Sequence, residues 1–173
     1  NIGIRHVEVA WSPKPGWINL IKELKNNFKT ILLGAASVSS PEALKSVAKL
    51  DLPYAMSPFW NRVMQDEALK LKQVLIPGVF SPSEIQEASS CGSRIIKIFP
   101  ASNLGINYLS QVKPIMDSLP FIIAAGGIRI EDINPWLKSG YDAVAIGRGL
   151  LKDGQIDPNL KQWVKLNQIT NLK

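Results

Sequence analysis

Short apolar segments rich in β-branched residues alternate along the chain with amphipathic segments of helical period. A two-residue period marks a strand with two unlike faces, and a 3.6-residue period marks a helix with one apolar stripe. The pattern predicts strands over residues 4–10, 30–35, 52–56, 73–76, 94–99, 121–125 and 142–146. Helices are predicted over 17–28, 41–50, 61–71, 82–91, 105–118, 131–139 and 157–169. In the first of these, Trp17, Leu20, Ile21, Leu24 and Phe28 form one stripe. Start and stop signals agree. Ser40-Pro41 and Ser81-Pro82 place a capping hydroxyl before proline, Ser81 and Glu84 have capping-box spacing, and Gly92 and Gly140 follow helices where a left-handed residue is wanted.

Strict strand–helix alternation implies a parallel sheet with helices outside it. Two architectures compete, an open doubly wound sheet and a closed (β/α)8 barrel. The first turn reads Ala10-Trp11-Ser12-Pro13, without the glycines of a dinucleotide-binding sheet. Polar residues, glycines and a proline recur at strand ends: Glu8, Ser37, Ser57, Pro77, Lys97, Gly126 and Gly147. Barrel enzymes build their sites from those ends. The expected fold class is therefore an α/β (β/α)8 TIM barrel forming one domain over residues 1–173, with seven of eight strands in this chain. An open ring would expose a strand edge and an apolar lumen, so a first βα unit is expected to be missing from the N-terminus.

Composition narrows the function classes. The net charge of +6 comes from 20 basic and 14 acidic residues, but the lysines are dispersed among acids on helices. That fits solvated helix faces and a mild field favouring small anions, not nucleic-acid binding. Apolar runs fall far short of the roughly 20 residues that span a bilayer, and no basic-then-apolar leader opens the sequence. The single cysteine, Cys91, cannot form an internal disulfide and fits a reducing, cytoplasmic setting.

Candidate chemistry sits on two strands. Lys97 lies inside Arg94-Ile95-Ile96-Lys97-Ile98-Phe99 and shares a face with Ile95 and Phe99. An ammonium on an apolar inward face is costly, so its pKa should fall and expose a free amine, the nucleophile for Schiff-base chemistry on a ketone. The alternative is a strand lysine snorkelling to solvent. Glu8 shares a face with His6 and Ala10, opposite Arg5, Val7 and Val9. It is either the proton partner of the amine or half of a structural ion pair. His6 reads as a packed core histidine. Gly126-Gly127 and Gly147-Arg148-Gly149 follow the last two strands, where backbone N–H groups can approach a phosphate and Arg148 can add a charged contact. One histidine and one cysteine offer no zinc spacing, and no nucleophile-elbow motif supports a serine triad. No metal or cofactor is expected.

Taken together, the segments resemble one family. These are Glu8-Val9, Gly34-Ala35-Ala36-Ser37-Val38, Met56-Ser57-Pro58, the run Pro77-Gly78-Val79-Phe80-Ser81-Pro82-Ser83-Glu84-Ile85, Lys97-Ile98-Phe99-Pro100-Ala101 and Gly126-Gly127-Ile128. In that order they are similar to the motifs of bacterial 2-keto-3-deoxy-6-phosphogluconate (KDPG) and 4-hydroxy-2-oxoglutarate (KHG) aldolases. The resemblance implies a metal-free class I aldolase, commonly a homotrimer, with Lys97 as the Schiff-base lysine and Glu8 as acid/base. With the strand-end reading it places Ser37, Phe99, Gly126, Gly127, Gly147 and Arg148 around a keto acid expected to be phosphorylated, although a serine of the family's final phosphate loop is replaced near Arg148 to Leu150. Ser12 stands where the family commonly has the arginine that holds the pyruvate carboxylate, and Ala125 where it has a threonine. The rival expectations are a barrel that only binds a small phosphorylated or keto-acid ligand, and another phosphate-handling barrel enzyme of the thiamine-phosphate-synthase kind.

Overall fold

The computed structural model describes residues 3–152 and 154–170, the last three of these by backbone alone. Each expected strand is present with its bounds shifted by at most two residues, and one further short strand, β5, follows β4: β1 His6–Ala10, β2 Leu32–Ala36, β3 Tyr54–Met56, β4 Val74–Ile76, β5 Gly78–Val79, β6 Ile95–Ile98, β7 Phe121–Ala125 and β8 Ala143–Ala145. All pairings among β1 to β8 are parallel, in the orders β1-β2-β3-β4 and β5-β6-β7-β8. Between them run α1 Gly16–Asn27, α2 Pro41–Lys49, α3 Arg62–Leu71, α4 Pro82–Ser90, α5 Ala101–Leu104, α6 Tyr108–Val112 and α7 Ile133–Lys138, and α8 Pro158–Thr170 follows the last strand. The result is a TIM-barrel-like α/β fold.

The two four-stranded groups are one surface. The expected strand over 73–76 continues past Pro77 as β5, so β4 and β5 are halves of one strand. Proline has no N–H to donate, which breaks the ladder for one residue. Its carbonyl still accepts from the Lys97 N–H at 2.9 Å, and Gly78 N–H donates back to the Ser57 carbonyl at 2.9 Å. The strand carrying Lys97 is thus tied directly to the proline between β4 and β5.

Alternation along the strands divides the core into an outer layer and a lumen. Val7, Val9, Leu33, Ala35 and Ala55 pack outward with Trp17, Ile21, Leu44 and Val47 of the helices. Ile96, Ile98, Ile122 and Ala124 do the same on the other half, against Ile85, Leu109 and Trp136. The opposite faces meet in a second cluster of Tyr54, Met56, Ile76 and Ile123, with Ile95, Ala143 and Ala145 beside them.

Helix boundaries follow local chemistry. Ser40 caps α2 by accepting the Ala43 N–H at 3.2 Å, and the capping box of Ser81 and Glu84 opens α4. Gly92 and Gly140 take the left-handed φ values of 89° and 102° expected of residues that end helices. The helix expected over 105–118 is instead broken. Gly105 at φ 83° ends α5, α6 covers five residues, and a 3-10 turn at Lys113–Ile115 contains Pro114. The expected stripe of α1 is only half used: Trp17 and Ile21 are buried, whereas Leu20 and Phe28 stay exposed. A short hairpin pairing β9 Leu151–Lys152 with β10 Gln155–Ile156 was not expected from the pattern, because two-residue strands carry too little periodicity.

Removing the α2 cap should be measurable without touching the lumen. Ser40→Ala is expected to cost about 1 kcal/mol, lowering the melting temperature by roughly 2–4 °C in thermal unfolding followed by circular dichroism.

Candidate active site

Lys97 is the buried cation of the lumen. It is 7% exposed and sits on β6 two residues beyond Ile95, level with Gly78 on one side and Ile123 on the other. Its neighbours Ile96 and Ile98 face the helices, so the lysine has the inward face. Burial pushes the Lys97 ammonium below the usual lysine range, and the negative charge of Glu8 opposes that fall. The Phe99 ring, the next residue on the same face, lies 4.9 Å from Lys97 Nζ, a cation–π distance while the amine is protonated.

Glu8 comes from β1, on the face opposite Val7 and Val9. Desolvation raises its carboxyl above the usual range, and Lys97 pulls it back. Each group therefore feels the other's charge, but the two do not close to the 4.0 Å of an ion pair. The two groups thus influence each other's charge without being locked together as an ion pair. The β1 strand is anchored beyond Glu8, where Trp17 Nε1 donates to the Ala10 carbonyl at 2.9 Å and Trp11 N–H to the Ala36 carbonyl at 2.8 Å.

The remaining expected positions lie at the same strand ends. Ser37 follows β2 at φ 57°, a left-handed conformation costing about 1–2 kcal/mol for a residue with a Cβ, and its side chain is exposed. Gly126 follows β7 at φ 90°, and a Cβ there would stand 2.9 Å from the Phe99 ring. Glycine at this position lets Phe99 lie flat against the turn beside Lys97. Gly127, at φ 76°, similarly backs onto the Ser102 side chain. Gly147 and Arg148 begin the turn after β8; both are exposed, and Arg148 opens a 3-10 turn that ends at Leu150. His6 is exposed rather than packed away, with its ring 6.1 Å from that of Tyr54. The expectation of a core histidine is corrected by its place at the start of β1, where the ring is only partly covered.

The sequence pattern alone did not single out Tyr54. It is 9% exposed in the lumen, and burial together with the Glu8 charge holds its phenol well above the usual range. The signal was available, since Tyr54 and Met56 share one face of β3 by simple alternation. What hid it was that a tyrosine in a strand ordinarily reads as core. Among the described residues no group of three His, Cys, Asp or Glu side chains is placed to hold a metal, and no helix is long and apolar enough to cross a membrane.

Comparison with known proteins gives a consistent picture. The chain matches the family described as "Aldolase: KDPG and KHG aldolase" over residues 1–169. It is 27% identical over 154 residues to the 2-dehydro-3-deoxy-6-phosphogalactonate aldolase of Escherichia coli K12, covering 88% of this chain and 75% of that protein. A solved structure described as native KDPGal superposes with a TM-score of 0.84 at 24% identity, over 99% of this chain and 85% of the other. The KDPG aldolase of Legionella pneumophila, solved with pyruvate captured as a covalent carbinolamine, superposes with a TM-score of 0.76 at 25% identity, over 96% of this chain and 77% of the other.

The buried amine makes a stability prediction with a definite sign. A lysine whose folded pKa is depressed binds fewer protons in the folded than in the unfolded state between that pKa and the ordinary lysine value of 10.5. Stability therefore rises with pH across that window. Lys97→Met is expected to melt above the parent near neutral pH, with the difference narrowing as pH is raised toward 10.5; parallel pH–melting curves for the two proteins would contradict the burial of the charge.

Proposed function

The chain belongs to the KDPG and KHG aldolase family, and from that premise we propose that it is a class I aldolase cleaving a 2-keto-4-hydroxy acid to pyruvate and an aldehyde. The observation that carries this reading is the Lys97 amine, buried on the lumen face and depressed in pKa, opposite a carboxyl that is itself raised. Depression of an amine pKa increases the fraction of free base at neutral pH, by tenfold per unit while the group remains mostly charged. Only the free base has the lone pair that attacks a ketone.

In the proposed sequence Lys97 Nζ adds to C2 of the keto acid to give a carbinolamine. The adduct captured in the Legionella relative is of that kind. Loss of water leaves a protonated imine, an electron sink at C2. Glu8 as carboxylate takes the C4 hydroxyl proton, the C3–C4 electron pair moves into a C2–C3 double bond, and the aldehyde departs from C4. Glu8 then returns its proton to C3 of the enamine, and water releases pyruvate and the amine. A carboxyl whose pKa is raised by burial suits both halves of this exchange, because it is a stronger base than an exposed carboxylate when it takes the proton and still an acid when it returns it.

Ser37, Phe99, Gly126, Gly127, Gly147 and Arg148 are proposed to surround the keto acid, with the glycine turns and Arg148 toward a phosphorylated distal end. A homotrimer is the proposed assembly. The half-buried Ser12 at the end of β1 favours a second reading, since no arginine stands there to grip a substrate carboxylate. On that reading the barrel binds a keto acid without turning it over.

Borohydride reduction in the presence of pyruvate is expected to add a stable pyruvate-derived adduct to Lys97, read by peptide mass spectrometry. No adduct on correctly folded protein would refute the Schiff-base step. In a retro-aldol assay coupled to pyruvate detection, Lys97→Met is expected to lose roughly 10⁴-fold or more in turnover and Glu8→Gln about 10²–10⁴-fold. Ligand-induced thermal shift without product formation would favour the binding-only reading.

A further inference from the structure

A row of three residues crosses the sheet beneath the candidate site. Glu8 on β1 is level with Gly34 on β2, and the adjoining register, Ala35 with Ala55, makes Tyr54 on β3 the lateral neighbour of Gly34. Residues level with one another in a parallel sheet project from the same face. Gly34 contributes no side chain, and the Tyr54 ring occupies that space. A Cβ on Gly34 would lie 2.3 Å from Tyr54 Cε2 and 2.4 Å from Cζ. The ring thus lies across β2 with its hydroxyl directed at β1, where it meets the Val7 carbonyl at 3.5 Å. Val7 is the residue before Glu8.

That contact is at the outer limit of a hydrogen bond, and no shorter one is made by this hydroxyl among the described residues. A buried hydroxyl left without a good acceptor costs about 1–3 kcal/mol, so it is drawn to the best acceptor in reach. An ionised carboxylate is the stronger acceptor. Val7 and Glu8 are adjacent on β1, the strand at which the hydroxyl is directed, so the carboxylate is a rival acceptor to the Val7 carbonyl. We propose that Tyr54 is a positioning residue for the acid/base, its hydroxyl donating to the Glu8 carboxylate and holding it toward the space in front of Lys97. Burial, and after it the negative charge of Glu8, keep the phenol protonated and so able to donate, and the influence of Glu8 is consistent with this closeness.

The proposal deepens the aldolase reading and rests on it for its catalytic meaning, but the Tyr54–Glu8 bond is a physical claim in its own right. Glu8 is faced by Lys97 from β6 and Tyr54 from β3, with His6 two residues before it on β1 and near the Tyr54 ring. A donor to the ionised form lowers a carboxyl pKa, so losing the donor raises it. Tyr54→Phe keeps the ring that fills the Gly34 space and removes only the hydroxyl. Carbon-13 NMR titration of the glutamate side-chain carboxyls, with Glu8→Gln assigning the Glu8 signal, is expected to show the Glu8 midpoint moving up by about one pH unit or more in Tyr54→Phe. The acid limb of C3-proton exchange of pyruvate in deuterated water should move by the same amount, while borohydride trapping on Lys97 is retained. Superimposable Glu8 titrations would overturn the proposal, whatever happens to activity. Absent trapping in the parent protein would instead sink the aldolase reading and leave the NMR comparison to decide Tyr54.

Discussion

The structure turns on the cost of keeping one amine out of water. An ammonium in an apolar interior is penalised by several kcal/mol after relaxation, and the protein meets that penalty in two ways. Deprotonation removes part of it, which is why burial drives the Lys97 pKa down. A carboxyl across the lumen offsets another part, which is why Glu8 pulls the same pKa up. Neither effect cancels the other, and the pair stays beyond ion-pair distance. A closed pair would hold the amine protonated and the carboxyl ionised, leaving a poor nucleophile. The separation is thus as important to the proposed chemistry as the burial.

Such an arrangement needs walls that do not solvate the amine. The lumen layer around Lys97 is built from Ile95, Ile123, Ala143 and Ala145, with Tyr54, Met56 and Ile76 of the other half. Within this layer and at its rim the chain uses glycines that leave space for a neighbouring ring. Gly34 admits the Tyr54 ring and Gly126 admits the Phe99 ring. In both cases a missing Cβ is filled by an aromatic side chain lying against the site. The strained Ser37 at the end of β2 belongs to the same rim, and backbone strain of this kind concentrates at working sites.

Much of this was legible along the chain. Alternation of periods placed the parallel strands and their intervening helices, because each element must bury one face and the repeat of that face is local. The position of Lys97 within an apolar strand was enough to mark it, since a charge on an inward face needs a reason. The family resemblance carried by the run from Pro77 to Ile85 and by Lys97-Ile98-Phe99-Pro100-Ala101 agrees with the family match over residues 1–169. Legibility failed where local signals conflict. The segment 105–118 has apolar residues at helical spacing, yet Gly105 and Pro114 divide it, because backbone conformation at those two residues outweighs periodicity. Pro77 hid the continuation of its strand for a related reason: the missing donor looks like an end, but the carbonyl on the same residue still pairs.

What the sequence by itself determined was the order of elements, the face each residue takes, and the identity of the two charges, Lys97 and Glu8, that stand on inward strand faces. These depend on bonded geometry and on periods of two and 3.6 residues. The tertiary structure alone decided which residues become neighbours across strands. Glu8 and Lys97 are far apart in the chain and feel each other's charge only because β1 and β6 line one lumen. Tyr54 gains a role only because register sets it beside Gly34, one strand from Glu8. Register is a sum over many inter-strand contacts, and no single segment carries it.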